Sequence, residues 1–138
     1  MRIMAIDYGD ARTGIAISDP TGFLAGFTTV INAYRPEAVA EQISALAKEH
    51  GVEELVLGHP INMDGTRGPR SEKAQAMKTL LEETTSLPVV LWDERRTTID
   101  AHQILMNSGK NAKKRKKVVD AVAATLILEG YLTYKKTH

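Results

Sequence analysis

Three acidic positions, far apart in the chain, carry the chemistry open to this sequence. The first is Asp7, which closes the run Arg2-Ile3-Met4-Ala5-Ile6 and precedes Tyr8-Gly9. Side chains repeat every second residue along a strand, so Asp7 falls in line with Ile3 and Ala5. A carboxylate in a buried row is costly unless it is paired, hydrogen-bonded or bound to a cation. The second is the pair Asp93-Glu94, which follows the apolar run Pro88-Val89-Val90-Leu91-Trp92. The third is Asp120, the only charged residue in the stretch Val118 to Leu128. A helix that apolar must be largely covered, so its acid is expected to face a partner. Simpler readings stand beside these. Asp7 can open a turn before glycine, and Asp120 can be a helix-start acid favoured by the macrodipole.

Converging carboxylates, with no cysteine in the chain and no zinc-like histidine spacing, favour hard cations that bind oxygen. Mg²⁺ and Mn²⁺ are the natural choices. Two such ions about 4 Å apart activate a water and stabilise the leaving oxygen in phosphodiester cleavage. Basic residues lie beside the acids in sequence. Arg95 and Arg96 follow Glu94, while Lys110, Lys113, Lys114, Arg115, Lys116 and Lys117 put six positive charges into eight residues just ahead of Asp120. Arg12, in the turn between Gly9 and Gly14, joins them as a candidate phosphate contact. Such residues hold a nucleic-acid backbone without reading its sequence. The plainer reading of residues 110–117 is a solvated loop that aids solubility.

The elements that position these residues follow from patterning. Met1 to Tyr8 and Ile15-Ala16-Ile17 read as a hairpin, and Phe23 to Ile31 as a third strand. A helix from Pro36 to Gly51 has Val39, Ile43, Leu46 and Ala47 as its stripe, and Glu54 to Gly58 is a short buried strand. The polar segment His59 to Arg70 contains Asn62, Asp64 and Thr66, a turn that opens at the same sheet edge as the acids and is a candidate substrate loop. Ser71 is expected to cap the next helix, and His59 is expected in a loop. His102 has no evident role and Trp92 is expected to pack in the core. Thr97 and Asp100 match a capping signature for a helix to about Asn107. The basic segment is then expected as a loop, before a closing helix from Val118 to Tyr134.

Three strands joined by short turns, then helix-strand-helix-strand-helix, predict a mixed five-stranded sheet. Right-handed crossovers give the order 3-2-1-4-5, a ribonuclease H-like α/β architecture. Strands 1, 4 and 5 then end on one side, where open α/β sheets bind ligands. At 138 residues the chain is expected to form a single domain, residues 1–138. Its 43% hydrophobic and 25% charged composition is ordinary for a globular protein. Lacking a long apolar stretch or a signal-peptide pattern, it is expected to be soluble and cytoplasmic, with no membrane partner. The net charge of +1 conceals a mildly acidic body and one dense basic patch, which suits a polyanionic partner.

Four blocks in register extend the reading. Ala5-Ile6-Asp7-Tyr8-Gly9 with Arg12, Gly14-Ile15-Ala16 and Ser18-Asp19 resembles the opening signature of the bacterial YqgF/RuvX family. So do Gly58-His59-Pro60 with Asn62 to Thr66, Asp93-Glu94-Arg95 with Thr97-Thr98, and Val119-Asp120-Ala121 with Ala123-Ala124 and Leu126 to Glu129. Members of that family are described as pre-16S rRNA nucleases and as Holliday junction resolvase-like proteins. The resemblance implies a ribonuclease H-like fold, a cytoplasmic protein, and maturation of the 5′ end of 16S rRNA. It also implies a metal site of Asp7, Asp120 and one acid of the pair. Glu94 is favoured over Asp93 because its side chain reaches further and the family's acid aligns there.

Other readings stay open. Branched DNA is the alternative substrate, as in a Holliday junction resolvase, which would act as a symmetric dimer; monomer and homodimer are both compatible with the sequence. A non-catalytic RNA-binding role in ribosome assembly would leave the basic run important and the acids dispensable, with ribosomal particles as partners. Asp7 to Gly14 also resembles the phosphate-binding loop of actin-like ATPases, which need a second lobe for which this chain is too short.

Overall fold

Alternate residues of the first strand enter two different cores, and this sets the architecture. The computed structural model describes residues 1–21, 25–60, 68–93 and 112–137, the last group as backbone alone at 112–121 and 136–137. In β1 (Arg2–Asp7), Met4 and Ile6 join one cluster while Ile3 and Ala5 join another, and all four are shielded from solvent. A strand covered on both faces has apolar residues in both rows.

β2 (Arg12–Ser18) returns antiparallel to β1, with Asp7 opposite Gly14, and β3 (Ala25–Asn32) pairs antiparallel with β2. Helix α1 (Pro36–His50) then crosses to β4 (Val52–His59), and α2 (Pro69–Thr85) to β5 (Val89–Asp93). Both of these strands run parallel to the centre, because a helix brings the chain back to the starting edge. The sheet order is β3-β2-β1-β4-β5, as the sequence predicts. The third strand begins at Ala25 among the described residues; Phe23 lies outside them.

The helices end where the residues require it. Gly51 takes the left-handed conformation (φ 67°) and donates to the carbonyls of Ala47 and Lys48, closing α1. Arg2 donates to the last carbonyl of that helix, His50, at 2.6 Å. Ser86 takes the same left-handed position after α2 (φ 60°), its N–H donating to Glu82 O at 3.1 Å.

α1 and α2 cover one face through Val39, Ile43, Met77 and Leu81, packed on Met4, Ile6, Leu55 and Leu57. The final helix, α3 (Ala112–Thr137), covers the other through Ala124, Ile127, Leu128 and Tyr131, against Ile3, Ala5, Ala16 and Val56. Trp92 packs in this second core, edge-on to Tyr131 with ring centroids 5.9 Å apart.

Two expectations need correction here. The closing helix starts at Ala112, not Val118, so Lys113 to Lys117 belong to its first turns rather than to a loop. Lysine and arginine are good helix formers without apolar periodicity. Asp120 is therefore in the third turn of α3, beyond the reach of the macrodipole explanation. The helix expected from Thr97 to Asn107 lies outside the described residues.

Candidate active site

The site is built at the carboxyl edge of β1, β4 and β5. Asp7 is the last residue of β1, half-buried, in the row of Ile3 and Ala5 that faces α3. Continuing the β1–β4 register by one residue sets Asp7 beside Gly58, which is paired in turn with Trp92. Gly58 follows Val56 in the α3-facing row, so the position flanking Asp7 carries no side chain.

Strand parity also separates the two adjacent acids. Val90 and Trp92 of β5 pack in the α3-side core, whereas Val89 and Leu91 pack on the α1/α2 side. Asp93, the last residue of β5, belongs to the second row, on the face opposite Asp7. Its register partner is His59, which ends β4 in the same row. Glu94 lies outside the described residues, as do Arg95, Arg96, Lys110 and the loop residues Asn62, Asp64 and Thr66. Asp120 lies one helical turn before Ala124, and Lys113, Lys114, Arg115, Lys116 and Lys117 lie further toward the start of α3.

Between β1 and β2 the chain turns tightly through Gly9. A Cβ there would run into the backbone carbonyl of Arg12, which cannot give way. Glycine is required for that close approach. Tyr8 points to the α1/α2 core, and burial followed by the charge of Asp10 pushes its phenol up. Asp10 is exposed and accepts from Lys73 Nζ at 2.9 Å; that hydrogen bond and the ammonium charge hold its carboxyl below the usual range. Arg12 opens β2, paired with Asn32.

His59 is buried at the end of β4 rather than in a loop, with Nε2 2.6 Å from Ser71 Oγ. Ser71 does not cap α2. Gly68 occupies the cap position and Pro69 the first turn, which leaves Ser71 turned inward, fully buried, where it also accepts from Gln75 Nε2 at 3.2 Å. This pair pins the start of α2 to the sheet edge.

Two cations at that edge, Arg70 and Lys73, escape a reading of the sequence. They sit in the first turns of α2 and line a small cleft with Gly9, Asp10 and Gly58. Positive charge at a helix N-terminus opposes the macrodipole, and that conflict is the signal by which they could be found.

Residues 1–134 match the family model described as "RuvX: Holliday junction resolvase". The chain belongs to the RuvX family. A RuvX relative from Halothermothrix orenii, named "Putative pre-16S rRNA nuclease", is 46% identical over 135 residues, covering 98% of this chain and 96% of that one. A Bacillus subtilis relative of the same name is 44% identical, covering 96% and 97%. Among solved structures, Thermus thermophilus RuvC in complex with a Holliday junction substrate superposes with a TM-score of 0.66. The superposition covers 99% of this chain and 96% of that one at 13% identity, so the likeness is one of ribonuclease H-like fold. No helix among the described residues is long and apolar enough to cross a membrane.

Proposed function

We propose that this RuvX protein is a metal-dependent endonuclease of the cytoplasm that processes the 5′ end of pre-16S rRNA, with Asp7, Glu94 and Asp120 holding Mg²⁺ or Mn²⁺. The observation that carries the reading is the position of Asp7. It ends the central strand on the face covered by the helix that bears Asp120, with glycine as its lateral neighbour. Strand parity supports Glu94 over Asp93 as the second acid, because Asp93 falls on the opposite face. Among the described residues no three acids or histidines gather to hold a metal, and the set proposed here draws on Glu94 and Asp120, whose side chains lie outside them. Its all-oxygen chemistry fits a hard cation.

When bound, such ions supply an activated water and a counter-charge for the leaving oxygen. The chain's own residues bind and orient the substrate. Arg12, Arg95, Arg96, Lys110 and the run Lys113 to Lys117 hold backbone phosphates, and the loop with Asn62, Asp64 and Thr66 meets the substrate beside the acids. Residues 1–138 act as one domain. The names of the relatives support precursor rRNA as substrate.

A second reading, cleavage of branched DNA, is favoured by the description of the family model. One experiment separates the two. End-labelled precursor 16S rRNA and a four-way DNA junction are incubated with Mg²⁺ or Mn²⁺ and either wild type or Asp7→Asn. The rRNA reading expects RNA cut by wild type alone. Junction cutting alone, with a stable dimer in solution, replaces it with the resolvase. Binding of both without cleavage replaces it with a non-catalytic role.

A further inference from the structure

On the face opposite Asp7, the carboxyl edge opens into a groove between the starts of α1 and α2. It encloses about 570 Å³ and is walled by Tyr8, Tyr34, Met77 and Leu80, within the usual size range of ligand pockets. Tyr34 is 81% exposed, an unusual position for a large aromatic ring. The chain holds it in place: Ala33 N–H donates to Ala11 O at 3.2 Å, tying this loop to the β1–β2 turn, and Pro36 starts α1 two residues later. The groove shares Tyr8, Asp10 and Lys73 with the small cleft lined by Gly9, Gly58 and Arg70. The two cavities therefore adjoin across these residues, with the Asp10–Lys73 ion pair on their common border, and Gly9 lies two residues from Asp7.

We infer that these adjoining cavities bind one unpaired nucleotide of the substrate strand, its base in the groove against Tyr34 and its phosphate in the cleft on Arg70 and Lys73. The charges set this orientation. Asp10 and Lys73, as an ion pair, border both cavities; Glu37 lines the groove and not the cleft and repels a phosphate there, while a base offers N–H donors to such an acid and a π-face to the ring. The cleft adds a cation that the groove lacks, Arg70. Arg70 makes no hydrogen bond or ion pair among the described residues, and Lys73 is held by an exposed Asp10 that a phosphate can displace. The positive end of the α2 macrodipole adds to the attraction for an anion. The inference rests on the reading that nucleic acid is the substrate. It adds that the protein grips a single-stranded segment at the same carboxyl edge as Asp7, on the other face of the sheet.

The test is binding without divalent metal, so that cleavage does not enter. Fluorescence anisotropy is measured on the full chain with a short labelled single-stranded RNA and with a perfect RNA duplex of the same sequence. Tyr34→Ala is expected to weaken single-strand binding about tenfold, as for loss of one base–aromatic stack, and to leave duplex binding unchanged. Tyr34→Phe, which keeps the ring, is expected to bind as wild type. Arg70→Gln is expected to weaken both ligands and to lower the slope of log affinity against log salt by about one. Equal losses on both ligands with Tyr34→Ala, or none, overturn the base-binding groove. An unchanged salt slope with Arg70→Gln overturns the phosphate cleft. Should wild type bind neither RNA, the nucleic-acid reading falls and takes this inference with it; failure of the variants alone leaves that reading standing.

Discussion

Replacing Tyr131 by phenylalanine should destabilise the protein by about 2 kcal/mol at neutral pH. Tyr131 is 7% exposed, and its hydroxyl donates to Glu54 Oε1, joining α3 to the start of β4. The other carboxylate oxygen accepts from Lys135 at 3.3 Å. That partly exposed ion pair is worth less than about 1 kcal/mol, so it compensates poorly. A hydrogen bond to a charged acceptor contributes about 1.5–3 kcal/mol, and this one is partly buried. For 138 residues the unfolding entropy is about 0.3 kcal/mol/K, which converts the loss to a Tm lower by about 7 °C. The pH dependence gives an independent check. Burial, then the hydrogen bond and charge of Glu54, raise the phenol's pKa far above its ordinary value. The folded state therefore keeps its proton after the unfolded chain begins to lose it. The contribution is complete below about pH 10 and declines as pH rises toward the folded value. Urea denaturation of both proteins at pH 7 and at several values above pH 10 should show the gap between them narrowing. A neutral-pH loss under about 0.5 kcal/mol would refute the strength assigned to the bond. A gap that stays constant at alkaline pH would refute the titration argument.

The remaining predictions concern the acids, the basic run and two serines. Asp7→Asn and Glu94→Gln should each abolish cleavage while binding is retained, whereas Asp93→Asn should keep most activity; inactivation by Asp93→Asn alone would contradict the parity argument. Neutralising Lys113, Lys114, Arg115, Lys116 and Lys117 should weaken binding to every nucleic acid and flatten its salt dependence, and an unchanged slope in titrations across salt concentrations would reduce the run to a solubility feature. Ser71→Ala, which strips His59 Nε2 of its 2.6 Å partner, should cost about 1–3 kcal/mol in urea denaturation; a neutral effect would mean that the pair does not anchor α2. Ser86→Gly should raise stability by about 0.5–1 kcal/mol, because glycine adopts the left-handed cap with less strain, and a lower Tm would show that the side chain earns its place.

Much of this fold is legible in the sequence because periodicity and connection length both point the same way. The rows of β1 are visible in Ile3, Ala5 and Asp7, and helical connections dictate that β4 and β5 run parallel to it. The errors have particular causes. Ser71 has the chemistry of a helix cap, but Gly68-Pro69 starts α2 earlier and turns Ser71 inward. His59 precedes Pro60 and reads as a loop, although it completes β4 and is buried by the helix that returns over it. The lysines and arginine of residues 113–117 give no amphipathic signal, so the true start of α3 is hidden. Arg70 and Lys73, both in α2, lie far along the chain from Tyr34. Only packing of the α1 and α2 starts against the β1–β2 turn makes neighbours of them.

The adjacency of Asp93 and Glu94 makes the proposed active site a reader of strand alignment. The two acids differ by one position, and one position is also the difference between the faces of a sheet. Deleting a single residue from β5 would move Glu94 into the register position that Asp93 holds, opposite His59. Such a chain could keep its core composition and every acid in its sequence, yet lose its catalytic set. The proposed catalytic set therefore depends on the length of β5 as well as on its acids, and deletion of one residue between 89 and 93 is expected to abolish cleavage.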